Sequence, residues 1–215
     1  MSGYFITGTG TDIGKTFVTA GLIRHLRAEG KRVTALKPVI SGFDDPAQSD
    51  SGILLTALGE AVTKAALDRI SPWRFAAPLS PDMAASREGR EIDFAALVEY
   101  CRAPHDDTLL IEGVGGVMVP LDASHTVLDW MVALKLPVIL VAGTYLGSLS
   151  HTLTAARTLE QARLTIAALV VNESEESAVP MDESIMVLRR FLPTLPFFEI
   201  SHHKPDFAPL AGLLS

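Results

Sequence analysis

Gly8-Thr9-Gly10-Thr11-Asp12-Ile13-Gly14-Lys15-Thr16, directly after the apolar run Tyr4-Phe5-Ile6-Thr7, decides how the rest of the chain is read. A strand that enters a glycine-rich turn and leaves as a helix at Lys15-Thr16 makes an anion cradle. Its backbone N–H groups point inward, and the helix N-terminus adds partial positive charge. Glycines let that backbone come close to phosphate oxygens without a Cβ in the way. Lys15 can then reach β- and γ-phosphates, and the Thr16 hydroxyl can ligate Mg²⁺. The usual spacing G-x-x-x-x-G-K-[ST] wants glycine at position 9, where this chain has Thr9 between Gly8 and Gly10. A bare G-K-T recurs by chance. Its place after a strand and before the helical apolar pattern Val18, Leu22, Ile23, Leu26 is what gives it weight.

Outward from this loop, short apolar runs alternate with helical patterns. Strands are expected over 4–7, 33–36, 109–111, 138–141, 166–171 and 195–198, and helices over 15–29, 51–58, 94–101, 126–134, 148–162 and 182–191. Unbroken apolar runs suit strands buried on both faces. The alternation therefore predicts a three-layer α/β/α fold with a mostly parallel sheet, of the phosphate-loop NTPase kind, as a single domain over 1–215. Gly30 reads as the stop of the first helix. Residues 174–180 read as the most flexible loop. Trp73 and Trp130 read as core or interface, and His202-His203 as a solvated pair.

Composition narrows the function. Apolar residues make up 48% and charged residues 20%, which describes a globular chain. A net charge of −7 disfavours non-specific contact with nucleic acid or anionic membranes. The longest apolar runs are too short to span a bilayer. The single cysteine, Cys101, excludes an internal disulfide framework and suits a reducing compartment, so a cytoplasmic protein is expected. The chain opens on a strand with no basic leader, so no signal peptide is expected. The histidines have no metal-ligand spacing, and no Ser/His/Asp constellation is legible.

In such a sheet, ligands sit beyond the carboxyl ends of the strands, and those ends carry polar residues here. Lys37-Pro38-Val39-Ile40-Ser41-Gly42 follows the second strand. A lysine closing a buried strand is poorly explained by structure, although one snorkelling at a sheet edge would look the same. Glu112-Gly113-Val114-Gly115-Gly116 follows the third strand, and an acid there is positioned to meet Mg²⁺. A turn carboxylate is the alternative. Asp50, after an acidic loop, is either a second metal partner or a helix N-cap. Asn172 ends the fifth strand, where an amide can pair with both edges of adenine or simply make a turn. Gly143 to Ser148 is a further strand–Gly–helix junction, an anion site in principle.

Taken together, GTGTDIGKT (8–16), KPVISG (37–42), Asp50, FAAPLSPDMAA (75–85), EGVGG (112–116), PVILVAGTYLGSLSHTL (137–153) and the strand ending in Asn172 resemble dethiobiotin synthetases. These are ATP- and Mg²⁺-dependent enzymes of biotin synthesis. The stretches fall in the family's order and cover most of the chain to about residue 172. The resemblance implies a homodimer that closes a cyclic urea from CO₂ and 7,8-diaminononanoate, through a carbamate and a carbamic–phosphoric anhydride. It implies nucleotide contacts from Gly10, Thr11, Asp12, Ile13, Gly14, Lys15, Thr16, Phe17 and Asn172. Metal would be held by Thr16, Asp50 and Glu112, with Lys15, Lys37, Thr11 and Ser41 as catalytic groups. Substrate would meet Lys37, Ser41, Gly115 and Val117. Its carboxylate tail would meet Ser148, Leu149 and Ser150 of the other subunit.

Several positions depart from the family pattern. Asp82 replaces a common histidine, Ser148 and Ser150 stand for Cys and Asn, and Glu199-Ile200-Ser201-His202 replaces a Gly-x-Ile-Pro turn near the base. In the family that turn helps hold the adenine and ribose, so the resemblance does not carry over a nucleotide preference. Two other readings share the fold. A partitioning or cell-division switch ATPase usually has an extra lysine early in the loop, which Gly8-Thr9-Gly10 lacks, and no basic amphipathic C-terminal helix for a membrane is legible here. A cobalamin-type amidating synthase generally adds a glutaminase domain.

Overall fold

The computed structural model describes residues 3–103, 108–174, 177 and 179–214. Six parallel strands form the main sheet in the order β2-β5-β1-β6-β7-β8, where β1 is Gly3–Gly8, β2 Val33–Leu36, β5 Thr108–Glu112, β6 Val138–Ala142, β7 Ile166–Asn172 and β8 Phe197–Ile200. Two three-residue strands, β3 (Val39–Ser41) and β4 (Trp73–Phe75), pair parallel to each other outside that sheet. Helices cover both faces. They are α1 (Lys15–Ala28), α2 (Asp50–Ala57), α3 (Lys64–Ile70), α4 (Pro81–Arg87), α5 (Phe94–Arg102), α6 (Val127–Leu134), α7 (Ser148–Gln161), α8 (Met181–Phe191) and α9 (Ala208–Gly212).

All five residues of β6 are buried, as are residues 168–172 of β7. This is why both strands read as unbroken apolar runs: helices seal each face of a parallel sheet. Phe5 meets Trp130 edge-on at 4.9 Å, so α6 is seated on the centre of the sheet, and Trp130 is core. Trp73 is partly buried against Tyr100. β1 lies between β5 and β6. The chain first fills one side of β1 with β2 and β5, then crosses to the other with β6, β7 and β8. The crevice at the carboxyl end of β1 is the topological switch point of the fold.

Several expected elements needed correction. The last strand begins at Phe197 rather than residue 195. Pro196 has no N–H to give the ladder; only its carbonyl takes part, accepting from Leu169 N at 2.9 Å. The strands β3 and β4 and the helices α3, α4 and α9 went unread, because runs of three to seven residues carry almost no periodic signal. Two of those helices had start signals: the Thr63 hydroxyl caps α3, and Pro81 opens α4. Gly30 does turn the chain beyond α1, with φ +77°. The loop expected to be flexible, 174–180, lies partly outside the described residues. No helix among the described residues is long and apolar enough to cross a membrane.

Candidate functional site

The loop after β1 runs into α1 through Gly14, which sits at φ +88°. A side chain there would be strained, and its Cβ would fall 2.2 Å from Asn172 Nδ2. Asn172, at the carboxyl end of β7, donates through Nδ2 to the Ile13 carbonyl at 3.1 Å. One of its two N–H donors is therefore committed to the loop, while Oδ1 is buried without a hydrogen-bond partner. Lys15 Nζ donates back to the Gly10 carbonyl at 2.7 Å. Burial, and then the neighbouring Lys37 charge, push the Lys15 ammonium down to about 8.

The ends of two strands, β2 and β5, converge with α2 beside this loop. Lys37, 2% exposed, directs Nζ to Glu112 Oε1 at 2.9 Å, Asp50 Oδ2 at 3.1 Å and the Gly113 carbonyl at 2.7 Å. Burial opposes the Lys37 charge, but the Glu112 and Asp50 carboxylates outweigh it and hold its pKa above the ordinary lysine value. Asp50 is held below the usual carboxylate range: burial opposes its charge, and Lys37 and the Thr16 hydroxyl overcome that. Thr16 Oγ1 lies 2.8 Å from Asp50 Oδ1 and 2.7 Å from Glu112 Oε1.

Asp50 is not the N-cap of α2. Ser49 is, with its hydroxyl accepting from Gly52 N at 3.1 Å, and this leaves the Asp50 carboxylate free for Thr16 and Lys37. Thr16, Asp50 and Glu112 make a set of hard oxygen donors, and Glu112 Oε2 is buried with no hydrogen-bond partner. That donor chemistry fits Mg²⁺, which takes one or two carboxylates and completes its octahedron with water and phosphate oxygens. Among the described residues no cluster of three or more His, Cys, Asp or Glu offers an all-protein metal cage.

A cleft of about 800 Å³ opens over these groups. Thr11, Asp12, Gly14, Lys15, Thr16, Lys37, Ser41, Asp50 and Gly115 all line it, so residues from four separate stretches of sequence share one wall. Glu112 is fully buried and touches the cleft residues Lys37 and Thr16 from behind. Gly10, Ile13, Phe17, Val117 and Asn172 are not on the cleft wall. Val117 is core, and Phe17 packs edge-on against Phe207 at 5.8 Å. Ser148, Leu149 and Ser150 begin α7 and are not among the residues lining this chain's own cleft. An apolar wall is formed by Ile40, Pro78, Leu79, Pro81 and Val114, which lie in the stretches 37–42, 75–85 and 112–116 that carry the family resemblance but were not expected from sequence to line the site. Within 75–85 the prolines of Pro78-Leu79-Ser80-Pro81 mark a loop without saying what it faces. The departing segment 199–202 is tied down: Glu173 Oε2 accepts from Ser201 Oγ at 2.8 Å and His202 N at 2.9 Å.

Comparison with known proteins adds three findings. A family profile described as "AAA domain" matches residues 2–204. Among curated relatives, the ATP-dependent dethiobiotin synthetase BioD of Acidiphilium cryptum is 50% identical over 202 residues, covering 91% of each chain. The protein of that name from Phenylobacterium zucineum is 50% identical, covering 92% of this chain and 88% of its own length. The fold is similar to that of MinD from Pyrococcus horikoshii, with TM-score 0.53 and 19% identity over 99% of this chain and 85% of that one. It is also similar to a ParA family ATPase from Chlorobium tepidum, with TM-score 0.54 and 17% identity over 99% and 87%. At such identities these likenesses concern the fold alone.

Proposed function

The chain belongs to the ATP-dependent dethiobiotin synthetase family, and from that premise we propose that it closes a cyclic urea from CO₂ and 7,8-diaminononanoate at the expense of ATP. The observation that carries the reading is the convergence of the phosphate loop, the two carboxylates and buried Lys37 on one cleft. Phosphoryl transfer to a carbamate brings two anions together, so its catalysis is positioning and charge neutralisation.

In this reading an amine of the diamine adds to CO₂, loses a proton and becomes a carbamate. A carbamate oxygen attacks the γ-phosphorus of ATP, and ADP leaves. The second amine then attacks the carbonyl carbon of the anhydride, phosphate leaves, and the ring closes with loss of a proton. Lys15 neutralises the transferring phosphoryl group and Lys37 neutralises the carbamate. Thr11 and Ser41 hydrogen-bond phosphate or carbamate oxygens. Thr16, Asp50 and Glu112 would hold Mg²⁺, which when bound with ATP neutralises charge on the phosphates. Gly115 and the apolar wall would accept the aliphatic chain. Gly10, Asp12, Ile13, Gly14 and Phe17 shape the nucleotide cradle. Asn172 Oδ1, an acceptor with no protein hydrogen bond, suits an amino group on the base.

The same reading makes the enzyme a homodimer in which α7 of the partner supplies the carboxylate subsite. The start of that helix, at Ser148, Leu149 and Ser150, offers partial positive charge, although the Ser148 N–H is already given to the Tyr145 carbonyl at 3.0 Å. It also makes the protein cytoplasmic, where the free Cys101 thiol stays reduced.

Phosphate release from ATP and Mg²⁺ with bicarbonate, measured with and without the diamine alongside product mass, tests this. Stimulated release and a cyclic-urea mass are expected. Release indifferent to the diamine, with no new product, would overturn the proposal.

A further inference from the structure

Lys37 is held at both ends. Its ammonium lies between Glu112 and Asp50, but its backbone has already left the main sheet: β2 ends at Leu36, and β3 begins at Val39 in a different ribbon. No ladder of the main sheet fixes residue 37. Instead Lys37 N donates to the Ile70 carbonyl at 3.0 Å, and the Lys37 carbonyl accepts from the hydroxyl of Ser71, the C-cap of α3. The Ser71 hydroxyl is hydrogen-bonded in turn to the hydroxyl of Ser51. Ser71 spends its one proton on Lys37, so Ser51 must be the donor between them. Ser51 lies in the first turn of α2, next to Asp50. Both hydroxyls are fully buried, where apolar replacements would pack and unpaired hydroxyls would be costly.

We propose that Ser51 and Ser71 are positioning residues that hold Lys37 in register with Asp50. The relay Ser51–Ser71–Lys37 carbonyl joins the backbone of the lysine to the helix that carries its carboxylate partner. The ion pair between Lys37 Nζ and Asp50 closes the same loop from the side-chain end. Ammonium and carboxylate are thus set by one closed circuit of contacts, and hydrogen bonds chained in a buried site reinforce one another. A flexible four-carbon stem needs such anchoring: a shift of about 1 Å at a positioned catalytic group can cost about 10²-fold in rate. The inference rests on the catalytic role proposed for Lys37.

The test compares Ser71→Ala, Lys37→Met and the double variant by kcat for ring closure, KM and Kd for ATP, and thermal unfolding. Ser71→Ala is expected to lose about tenfold in kcat, the value of about one buried hydrogen bond, with ATP Kd within about twofold of wild type. In the Lys37→Met background the same change should cost nothing further, since the hydroxyl acts through Lys37. Unchanged kcat in Ser71→Ala would overturn the relay. So would an equal loss in ATP affinity, or a full second penalty on top of Lys37→Met, because each marks a general structural defect. Wild-type turnover in Lys37→Met alone would instead overturn the role of Lys37, and the relay's purpose with it. Should Ser71→Ala not fold, Ser51→Ala removes only the far donor and carries the same comparison, with about a threefold loss of kcat expected.

Discussion

Asn172 and Gly14 are packed so tightly that a single added carbon on the glycine would fall 2.2 Å from the Asn172 amide nitrogen. The end of β7 thereby braces the turn from which α1 begins. Gly14→Ala would also have to hold alanine at φ +88°, which costs about 1–2 kcal/mol before any clash. We expect a folded variant whose ATP Kd rises at least about tenfold. Titration calorimetry with Mg–ATP checks this; near-wild-type affinity would mean that the turn relaxes freely.

Lys37→Ala removes the one ammonium that touches both carboxylates and the Gly113 carbonyl. Losing an electrostatic contact made to the transition state typically costs about 10²–10³ in rate. The diamine-dependent kcat should fall by that much, while ATP binding, which depends on the phosphate loop, changes little. A wild-type kcat would remove Lys37 from the chemistry.

Glu112 and Asp50 both pair with Lys37, yet they should differ in stability. Glu112 is fully buried, whereas the Asp50 side chain is 43% exposed. Removing one partner of a buried pair costs about 3–5 kcal/mol, and losing an exposed one about 1 kcal/mol or less. Glu112→Ala should therefore lower Tm by roughly 10 °C and Asp50→Ala by only a few degrees, measured without nucleotide. Equal shifts would show that solvent reaches both sites alike.

Cys101 lies in the core, and burial pushes its thiol up to about 12. The thiolate is the reactive form, so at pH 8 roughly one thiol in ten thousand is ionised. Native protein should leave iodoacetamide unconsumed over hours at that pH, and unfolded protein should react at the rate of an ordinary cysteine. Rapid labelling in the folded state would mean that α5 opens locally.

The shared site has its own test. Chains carrying Lys37→Ala lack the proposed catalytic lysine, and chains carrying Ser150→Glu bring a negative charge to the proposed carboxylate subsite. Mixed into verified heterodimers, they should regain partial activity from the one site built of two intact halves. No recovery would mean that each chain binds its substrate alone.

The chain and the fold divide the information along a physical line. The phosphate-loop motif was legible as sequence because Gly8 to Thr16 is contiguous: turn, glycines and helix start form one local unit that reads the same wherever it sits. The parallel sheet was legible for a similar reason, since strands sealed on both faces must be apolar at every residue. Lys37, Asp50 and Glu112 stood out singly as polar strand and loop ends, but their union did not. Glu112 lies 75 residues from Lys37, and only the side-by-side register of β2 and β5 brings their ends together. Likewise Asp50 could be read as a cap until Ser49 was seen to take that place. The Ser51–Ser71 contact had no periodic or motif signal, and the stretch holding Pro78 to Pro81 matched the family pattern without showing that it would wall the cleft. Short ribbons, short helices and hydroxyl pairs acquire meaning only from what packs against them. Burial and charge pairing across distant segments are properties of the folded chain, and tertiary structure alone decided them.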